Sequence, residues 1–298
     1  MKKQEERPRM PNPSHLVIPK SRMQPGSPGV YEGHASLLRR TTLLDHAAGS
    51  VHVGYTLCAL DAGGEIDRCI HAYEKAFYVL SGELQMERDG HMIALAKGDY
   101  VLVPPGTPHA LRNAGVQVAQ WVEVCAPQPK DVGGWQDTFF VGRADWNRPI
   151  ARADLKDPCT NLVGHYDGTM PAGADMHADF RGGAIKGFID SEFGAVHFTM
   201  FTVQFANGGV CNHHDHAFEE AYLVLEGDVD ITFDGRDYTL RTGDLGWTGV
   251  GSRHAFFPKP GRPVRWLEIQ APQPPVQYGN RWHSRWEHLA QLTSGRRS

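Results

Sequence analysis

Residues 213–220 read HHDHAFEE, which places three histidines and three acidic residues within eight positions. Side chains two apart in a strand share a face, so His214 and His216 would point the same way. Glu220 would add a carboxylate at the start of the next strand, and His254 could add an imidazole from a neighbouring strand. Imidazole and carboxylate groups that converge from different segments bind transition metals. These four residues therefore predict a metal site, with a polar, histidine-rich loop as the alternative.

Short β-strands are the elements that must position these side chains. Runs of β-branched and aromatic residues recur along the chain, among them YTLCAL, AFYVL, HFTMFTVQF, AYLVL, VDITF and VRWLEI. Turn sequences such as RDGH and FDGRD separate them, as β-hairpins require. Only the tail RWHSRWEHLAQL suggests a helix, so we predict an all-β protein.

The strand pattern occurs twice in the chain. Residues 76–110 match residues 221–255 without an insertion, so that His109 corresponds to His254, 145 positions further on. A repeat of this length is typical of two similar domains in tandem and is too long for one unit of a solenoid.

The composition excludes several classes of partner. The chain has 298 residues, is 41% hydrophobic and carries a net charge of −4, without a long run of one sign. Nucleic acids and anionic membranes both require a basic surface, so we expect neither as a partner. The polar, proline-rich N-terminus lacks the apolar core of a secretory signal. The five cysteines include no CxxC pair, and together these features predict a cytoplasmic protein.

The second copy resembles a cupin domain. The first motif of that family, G-x5-H-x-H-x3-E-x6-G, is matched at every position, by Gly208, His214, His216, Glu220 and Gly227. The second motif, G-x5-P-x-G-x2-H-x3-N, is met at Gly243, Gly251 and His254, whereas Gly249 replaces its proline and Pro258 its asparagine.

The first copy keeps only part of this pattern. It meets the second motif completely, at Gly98, Pro104, Gly106, His109 and Asn113. In the first motif, Cys69 and Lys75 stand where a histidine and the glutamate belong, and His71 remains. A lysine ammonium at the acid position would repel a cation. We therefore expect Cys69, His71, Lys75 and His109 to form a degenerate site without a metal.

The resemblance implies a bicupin, with two tandem double-stranded β-helix (jelly-roll) barrels and a metal in the second only. The expected organisation is a flexible N-terminal arm over residues 1–30, an N-terminal barrel over 31–130, a connector over 131–190, a C-terminal barrel over 191–280 and a tail over 281–298 that could form a short helix.

Candidates for a substrate pocket lie near the predicted ligands. Tyr222, Trp247 and Phe256 could line an aromatic pocket or fill the barrel core. Glu268 and Gln270 share a strand face, and Glu268 could be a general base. The first copy keeps a glutamate at the position of Glu268 despite its lost ligands, which favours a structural role. By the same comparison, Glu219 is expected to be structural, because its counterpart Glu74 lies in the degenerate copy.

Three imidazoles and one carboxylate would leave open positions on one divalent transition metal. Iron and manganese are the first expectations, and nickel, cobalt or zinc would also suit these ligands. The resemblance implies metal chemistry on a small-molecule substrate. Bicupin dioxygenases hold a metal by three histidines and one glutamate, bind an enol or phenol oxygen and add dioxygen across a C–C bond. The same fold also serves non-catalytic binding modules.

The chain is also similar in architecture to the ureidoglycine aminohydrolase group, which are bicupins with manganese in the C-terminal barrel. That group carries Glu, His, His and Gln at the ligand positions and a substrate-binding lysine on the last barrel strand, where Gln270 is nearest here. An aminohydrolase is therefore the alternative activity. The arm and the tail could pack on another copy in a homo-oligomer or clasp the chain's own second barrel.

Overall fold

The structure, a computed structural model, describes residues 14–23, 26–130, 136–148, 150–151, 162–176, 178–275 and 279–283. These residues form 21 strands and two short 3-10 helices, Lys20–Arg22 and Gly29–Tyr31. The strands are β1 (His15–Ile18), β2 (Ala35–Leu44), β3 (Gly54–His71), β4 (Glu74–Ser81), β5 (Glu83–Arg88), β6 (His91–Ala96), β7 (Asp99–Val103), β8 (His109–Arg112), β9 (Ala119–Ala126), β10 (Thr138–Phe140), β11 (Ile150–Ala151), β12 (Val163–His165), β13 (Phe180–Ile189), β14 (Thr199–His216), β15 (Glu219–Glu226), β16 (Asp228–Phe233), β17 (Arg236–Arg241), β18 (Leu245–Thr248), β19 (His254–Pro258), β20 (Val264–Ala271) and β21 (Asn280–Trp282).

The strands divide into two barrel-like sheets. The first has the order β11-β6-β5-β8-β3-β9-β4-β7-β12, and β2 and β10 also pair with β3. The second has the order β1-β18-β15-β20-β14-β19-β16-β17, and β13 and β21 also pair with β14. The predicted all-β fold with two tandem barrels is therefore confirmed.

The repeat extends over more of the chain than the matched sequence segments. Strand β2 corresponds to β13, because the first residues of the two strands are 145 positions apart and so are their last residues. The same offset relates β3 to β14. Each copy ends on a cis peptide bond, Ala126–Pro127 in the first and Ala271–Pro272 in the second. The predicted connector, 131–190, thus contains β13 of the second sheet as well as β10, β11 and β12 of the first.

The alternation of buried and exposed residues produces three apolar cores. One fills the first barrel and includes Phe77 and Trp121, and another fills the second and includes Phe233 and Trp266. The third lies between the barrels and contains residues of both, such as Tyr55 of the first and Leu267 of the second. Burial of apolar surface stabilises a protein by about 25 cal/mol per Å², so this shared core contributes strongly to holding the two barrels together.

Both ends of the described chain pack on the second barrel. Strand β1, from the predicted arm, pairs antiparallel with β18, and Gly249 N donates to the Ser14 carbonyl at 2.8 Å. Strand β21 pairs with β14 beside His214 and His216. Residues 1–13 of the arm and 284–298 of the tail, with most of the suggested helix, lie outside the described residues. No helix among the described residues has the length and apolarity of a membrane span.

Candidate metal centre

Three strands bring the predicted ligands together inside the second barrel. Strand β14 ends with His214 and His216, β15 carries Glu220 as its second residue, and β19 begins with His254. His214 and His254 are direct partners in the β14–β19 pairing. One ring nitrogen from each histidine lies within 4.8 Å of the other two, and all four residues are buried.

Glu220 faces two of the histidines. Its Oε1 lies 2.9 Å from Nε2 of His216, and its Oε2 lies 3.2 Å from Nε2 of His254. Strand parity places His214, His216 and Glu220 on the inner face of adjacent strands, as the sequence pattern indicates. The four side chains therefore point at one small volume.

Backbone carbonyls fix the tautomer of all three rings. A carbonyl oxygen can only accept, so each Nδ1 carries the proton and each Nε2 presents a lone pair. Orientation of this kind by a carbonyl is the usual support for a metal-ligating histidine. The acceptors are Asn212 O for His214 at 2.8 Å, Phe218 O for His216 at 2.9 Å and Ser252 O for His254 at 2.9 Å.

The Nε2 lone pairs and the carboxylate require a cation between them. The Nε2 atoms of His216 and His254 are buried, with no hydrogen-bond partner. At about 3 Å from Glu220 they would set lone pair against lone pair, which is unfavourable in a dry site. A proton on His216 or a metal ion relieves this repulsion. Burial lowers the pKa of His216, but Glu220 outweighs burial, and the net shift is upward.

The same electrostatics act on the other ligands. Burial opposes ionisation of Glu220, yet its attraction to a protonated His216 and its close contacts with His216 and His254 hold its pKa well below the usual range. Burial, followed by the neighbouring His254, places the pKa of His214 well below that of a free histidine. The centre therefore combines an ionised Glu220 with an uncharged His214, and a proton held between His216 and Glu220 would have to leave when a metal binds.

A second carboxyl group lies beside Glu220. Gln270 Nε2 donates to Glu220 Oε1 at 2.6 Å and to Glu268 Oε1 at 3.0 Å, and so bridges the two side chains. Trp266 Nε1 donates to Glu268 Oε2 at 2.9 Å. Burial, and then the charge of Glu220, raise the pKa of Glu268 well above the usual range. Glu268 is therefore the group next to the ligands that can hold a proton.

The predicted aromatic residues separate into two groups. The Tyr222 hydroxyl donates to Glu220 Oε2, and Thr248 lies 3.0 Å from the same hydroxyl oxygen. The Phe256 ring lies 5.0 Å from the Tyr222 ring, between centroids, within the core of the second barrel. Trp247 is not with them. It adjoins the inward-facing Thr248, so it points to the opposite face of β18 and lies in the core between the barrels.

The structure adds two aromatic contacts to the ligands that are not among the residues predicted from the sequence. The Trp282 ring, in β21, lies 4.6 Å from the His214 ring, and Phe218 stacks on His216 at 3.8 Å between centroids. Asp215, on the outer face of β14, is buried and forms an ion pair with Arg281 at 2.5 Å.

Of the two aromatic residues, Phe218 lies inside HHDHAFEE, so the sequence could have indicated it as a neighbour of the ligands. The sequence could not have indicated Trp282, because its pairing with β14 spans more than sixty residues.

The first barrel places a different set at the same position. One ligand atom each of Cys69, His71 and His109 lies within 4.8 Å of the others. Lys75 replaces the glutamate, and its Nζ donates to Tyr31 Oη at 2.9 Å and to Glu123 Oε2 at 3.4 Å. Burial, and next the Lys75 ammonium, lower the pKa of His109 to about 4.

The comparisons with known proteins agree with this architecture. The family model for the cupin domain matches residues 56–125 and 201–270, one stretch in each barrel. No curated protein matches the chain.

Solved structures resemble both barrels together. Salicylate 1,2-dioxygenase from Pseudaminobacter salicylatoxidans superposes with a TM-score of 0.67 at 14% identity, over 90% of this chain and 87% of that chain. A glyoxylate-induced protein from Pseudomonas aeruginosa gives a TM-score of 0.63 at 19% identity, over 88% and 90%. Ylba from E. coli gives 0.60 at 16%, over 87% and 91%. At these identities the likeness is one of fold, and the chain is a bicupin, with two tandem domains of the cupin family.

Proposed function

We propose that this protein is a metal-dependent enzyme whose one divalent transition metal is held by His214, His216, Glu220 and His254. The observation that carries the proposal is the cluster of three imidazoles, each oriented by a backbone carbonyl, in which the Nε2 atoms of His216 and His254 face one buried carboxylate. A storage or purely structural barrel has no need of a buried arrangement that is unfavourable without a cation.

The residues fit mixed nitrogen and oxygen ligation, for which iron and manganese are the first expectations and nickel, cobalt or zinc are compatible. When bound, the metal would supply a Lewis acid and a site for dioxygen. The chain's own residues would hold the surrounding charges in place. Gln270 and Tyr222 orient Glu220, and Glu268 can hold a proton within reach of a substrate oxygen.

Dioxygenase-type oxidation of a small aromatic or enolic metabolite is the activity we favour. The cluster of three histidines with Glu220 beside two of them supports it, as does the fold shared with salicylate 1,2-dioxygenase. The aromatic rings of Phe218, Trp282 and Tyr222 next to the ligands would suit such a substrate. A cytoplasmic location and a homo-oligomer stay predictions.

Metal analysis tests the proposal directly. Elemental mass spectrometry on the anaerobically purified full chain should find about one metal per chain in the wild type. His216→Ala should lose it, whereas His213→Ala, the adjacent histidine on the other strand face, should keep it. Iron would be followed by oxygen-uptake assays with catechols and enols, and manganese by an assay for ammonia release, the aminohydrolase alternative. A wild type that neither holds nor takes up a metal would refute the site.

A further inference from the structure

The first barrel carries an inverted charge at the position of the second barrel's candidate metal centre. The two copies align with an offset of 145 residues. In this alignment Lys75 of the first barrel takes the place of Glu220, and Arg40 takes the place of Ile185. The glutamate Glu123 corresponds to Glu268. Both copies keep the tryptophan that donates to this last glutamate. A carboxylate and an apolar side chain are thus exchanged for two cations in an otherwise similar frame.

The two cations share one carboxylate. Arg40 donates to Glu123 Oε2 at 2.9 Å, and Lys75 donates to the same oxygen at 3.4 Å. Lys75 is fully buried, and the Arg40 side chain is 13% exposed. These three groups sum to a charge of +1. The Arg40 Nε atom is buried without a hydrogen-bond partner, so one guanidinium donor is unused.

Neutral neighbours leave this charge unbalanced. Burial first and the Lys75 charge second lower the pKa of His71, so this histidine is uncharged near neutral pH. Burial raises the pKa of the Cys69 thiol to about 11 and that of the Tyr73 hydroxyl to about 12. An unpaired buried charge is costly, and a counter-ion would remove that cost.

Both cations line a cavity in the first barrel. Its volume is about 170 Å³, and Arg40, Lys75, Glu123, Tyr73, Thr56 and Gln128 contribute to its walls. Since a water takes up about 30 Å³, the space corresponds to roughly five or six waters. Asp45, half-buried, also lines the cavity, and its Oδ1 accepts the N–H of Ala48 at 2.8 Å.

We propose that the first barrel is a metal-free binding site for a small carboxylate of two to four carbons, held by Arg40 and Lys75. The planar guanidinium offers paired donors that match a carboxylate, and the buried ammonium adds a second charge-assisted bond. Tyr31 holds both cations in place, because its hydroxyl accepts from Lys75 and the Arg40 guanidinium lies 4.8 Å above its ring. This site is distinct from the candidate metal centre.

Calorimetry with acetate and malonate tests this proposal, in a buffer free of phosphate and of other carboxylates. The full chain should bind malonate and should not bind malonamide, which has the same shape without the charge. Lys75→Met should weaken binding roughly tenfold or more, since it removes a charge-assisted hydrogen bond. Lys97→Met, at an exposed lysine in the turn between β6 and β7, should bind as the wild type does.

Two further measurements keep the outcome decisive. If Lys75→Met does not fold, Arg40→Lys replaces it, and loss of the paired donors should again weaken binding. Titrations before and after chelator treatment separate this site from the metal centre. Binding that disappears with the metal, equal binding of malonamide, or no binding of acetate and malonate would each overturn the carboxylate site. None of these three results would touch the metal stoichiometry on which the proposed function depends.

Discussion

Glu74 and Glu219, which are 145 residues apart, each reach into the other barrel and accept hydrogen bonds from its backbone. Glu74 accepts from Val196 N and His197 N, at 3.0 and 2.8 Å. Glu219 accepts from the equivalent Val51 N at 2.7 Å and His52 N at 3.0 Å, and additionally from Val53 N at 3.1 Å and the side chain of Ser50, whose Oγ lies at 2.7 Å. The two carboxylates therefore clasp the barrels symmetrically.

Glu219→Gln should weaken the clasp and leave the neighbouring Glu220 in place. The glutamine side chain would place its amide N–H donors against backbone N–H donors and leave some of them without an acceptor. We therefore expect the free energy of unfolding to fall by about 1–3 kcal/mol. Urea denaturation followed by tryptophan fluorescence measures the change, with the exposed Glu83→Gln as the control. Metal content should stay at the wild-type level. A loss of metal at unchanged stability would mean that Glu219 serves the metal centre and not the interface.

Tyr222→Phe should weaken metal binding about tenfold, because a hydrogen bond to a ligating carboxylate orients that ligand. The hydroxyl donates to Glu220 and contacts Thr248, and both partners would lose it. Competition with a chromogenic chelator gives the dissociation constant. Tyr238→Phe, which removes a hydroxyl near His15 on the same barrel, is the matched control. Equal affinities in the two variants would show that Tyr222 only fills the core.

The stability of the first barrel should fall with pH in two windows. His109 has a pKa of about 4 in the folded chain against 6.5 when free, because burial and Lys75 disfavour its charge. Between these values the unfolded chain binds the extra proton, so the free energy of unfolding decreases as pH falls from 6.5 to 4. The slope from this group is about 1.4 kcal/mol per pH unit. His109→Gln should remove this share of the slope, His71 should keep its own share because its pKa is also lowered, and the exposed His91→Gln should leave the slope unchanged.

The second window belongs to Glu123. Burial opposes its ionisation, but Lys75 and Arg40 outweigh burial and lower its pKa to about 2 from 4.5. Its contribution is complete above pH 4.5 and is lost as pH falls toward 2. Urea midpoints measured from pH 7 to pH 2 cover both windows. A His109→Gln profile parallel to the wild type above pH 4.5 would contradict the assignment of the upper window.

Lys75→Glu should create a second metal site. Cys69, His71 and His109 already lie with their ligand atoms within 4.8 Å, and the substitution exchanges a repelling ammonium for a carboxylate. Zinc suits a mixed cysteine and histidine set. Reconstitution with zinc should raise the stoichiometry by about one per chain over the wild type, whereas Lys97→Glu should leave it unchanged. An unchanged stoichiometry in a folded Lys75→Glu protein would show that more than the lysine excludes a metal.

The barrels and the histidine cluster could be predicted because their signals are local or repeated. His214 and His216 follow strand parity, and the correspondence of His109 with His254 reveals the duplication. The same parity could have separated Trp247 from the pocket candidates, since Thr248 next to it faces inward. Comparison of the copies predicts a structural role for Glu219, and its hydrogen bonds to the first barrel are consistent with that role.

Pairings between distant segments left no such signal. Trp282 reaches His214 only because β21 docks on β14, and no period or motif marks that contact. Arg40 lies in β2, outside the segment where the repeat is evident in sequence, so its approach to Lys75 and Glu123 was not foreseen. Long-range strand docking depends on complementary surfaces, which a single sequence does not display.

Strand β1 has a consequence for how the chain is made. The ribosome releases a chain from its N-terminus, and domains generally fold as units in that order. The first sheet is complete once β12 has emerged, but among the described residues His15–Ile18 pairs only with Leu245–Thr248, which is synthesised later. The earliest described residues to be translated are thus among the last to find their place. More than two hundred residues are therefore synthesised after β1 before the strand with which it pairs is available.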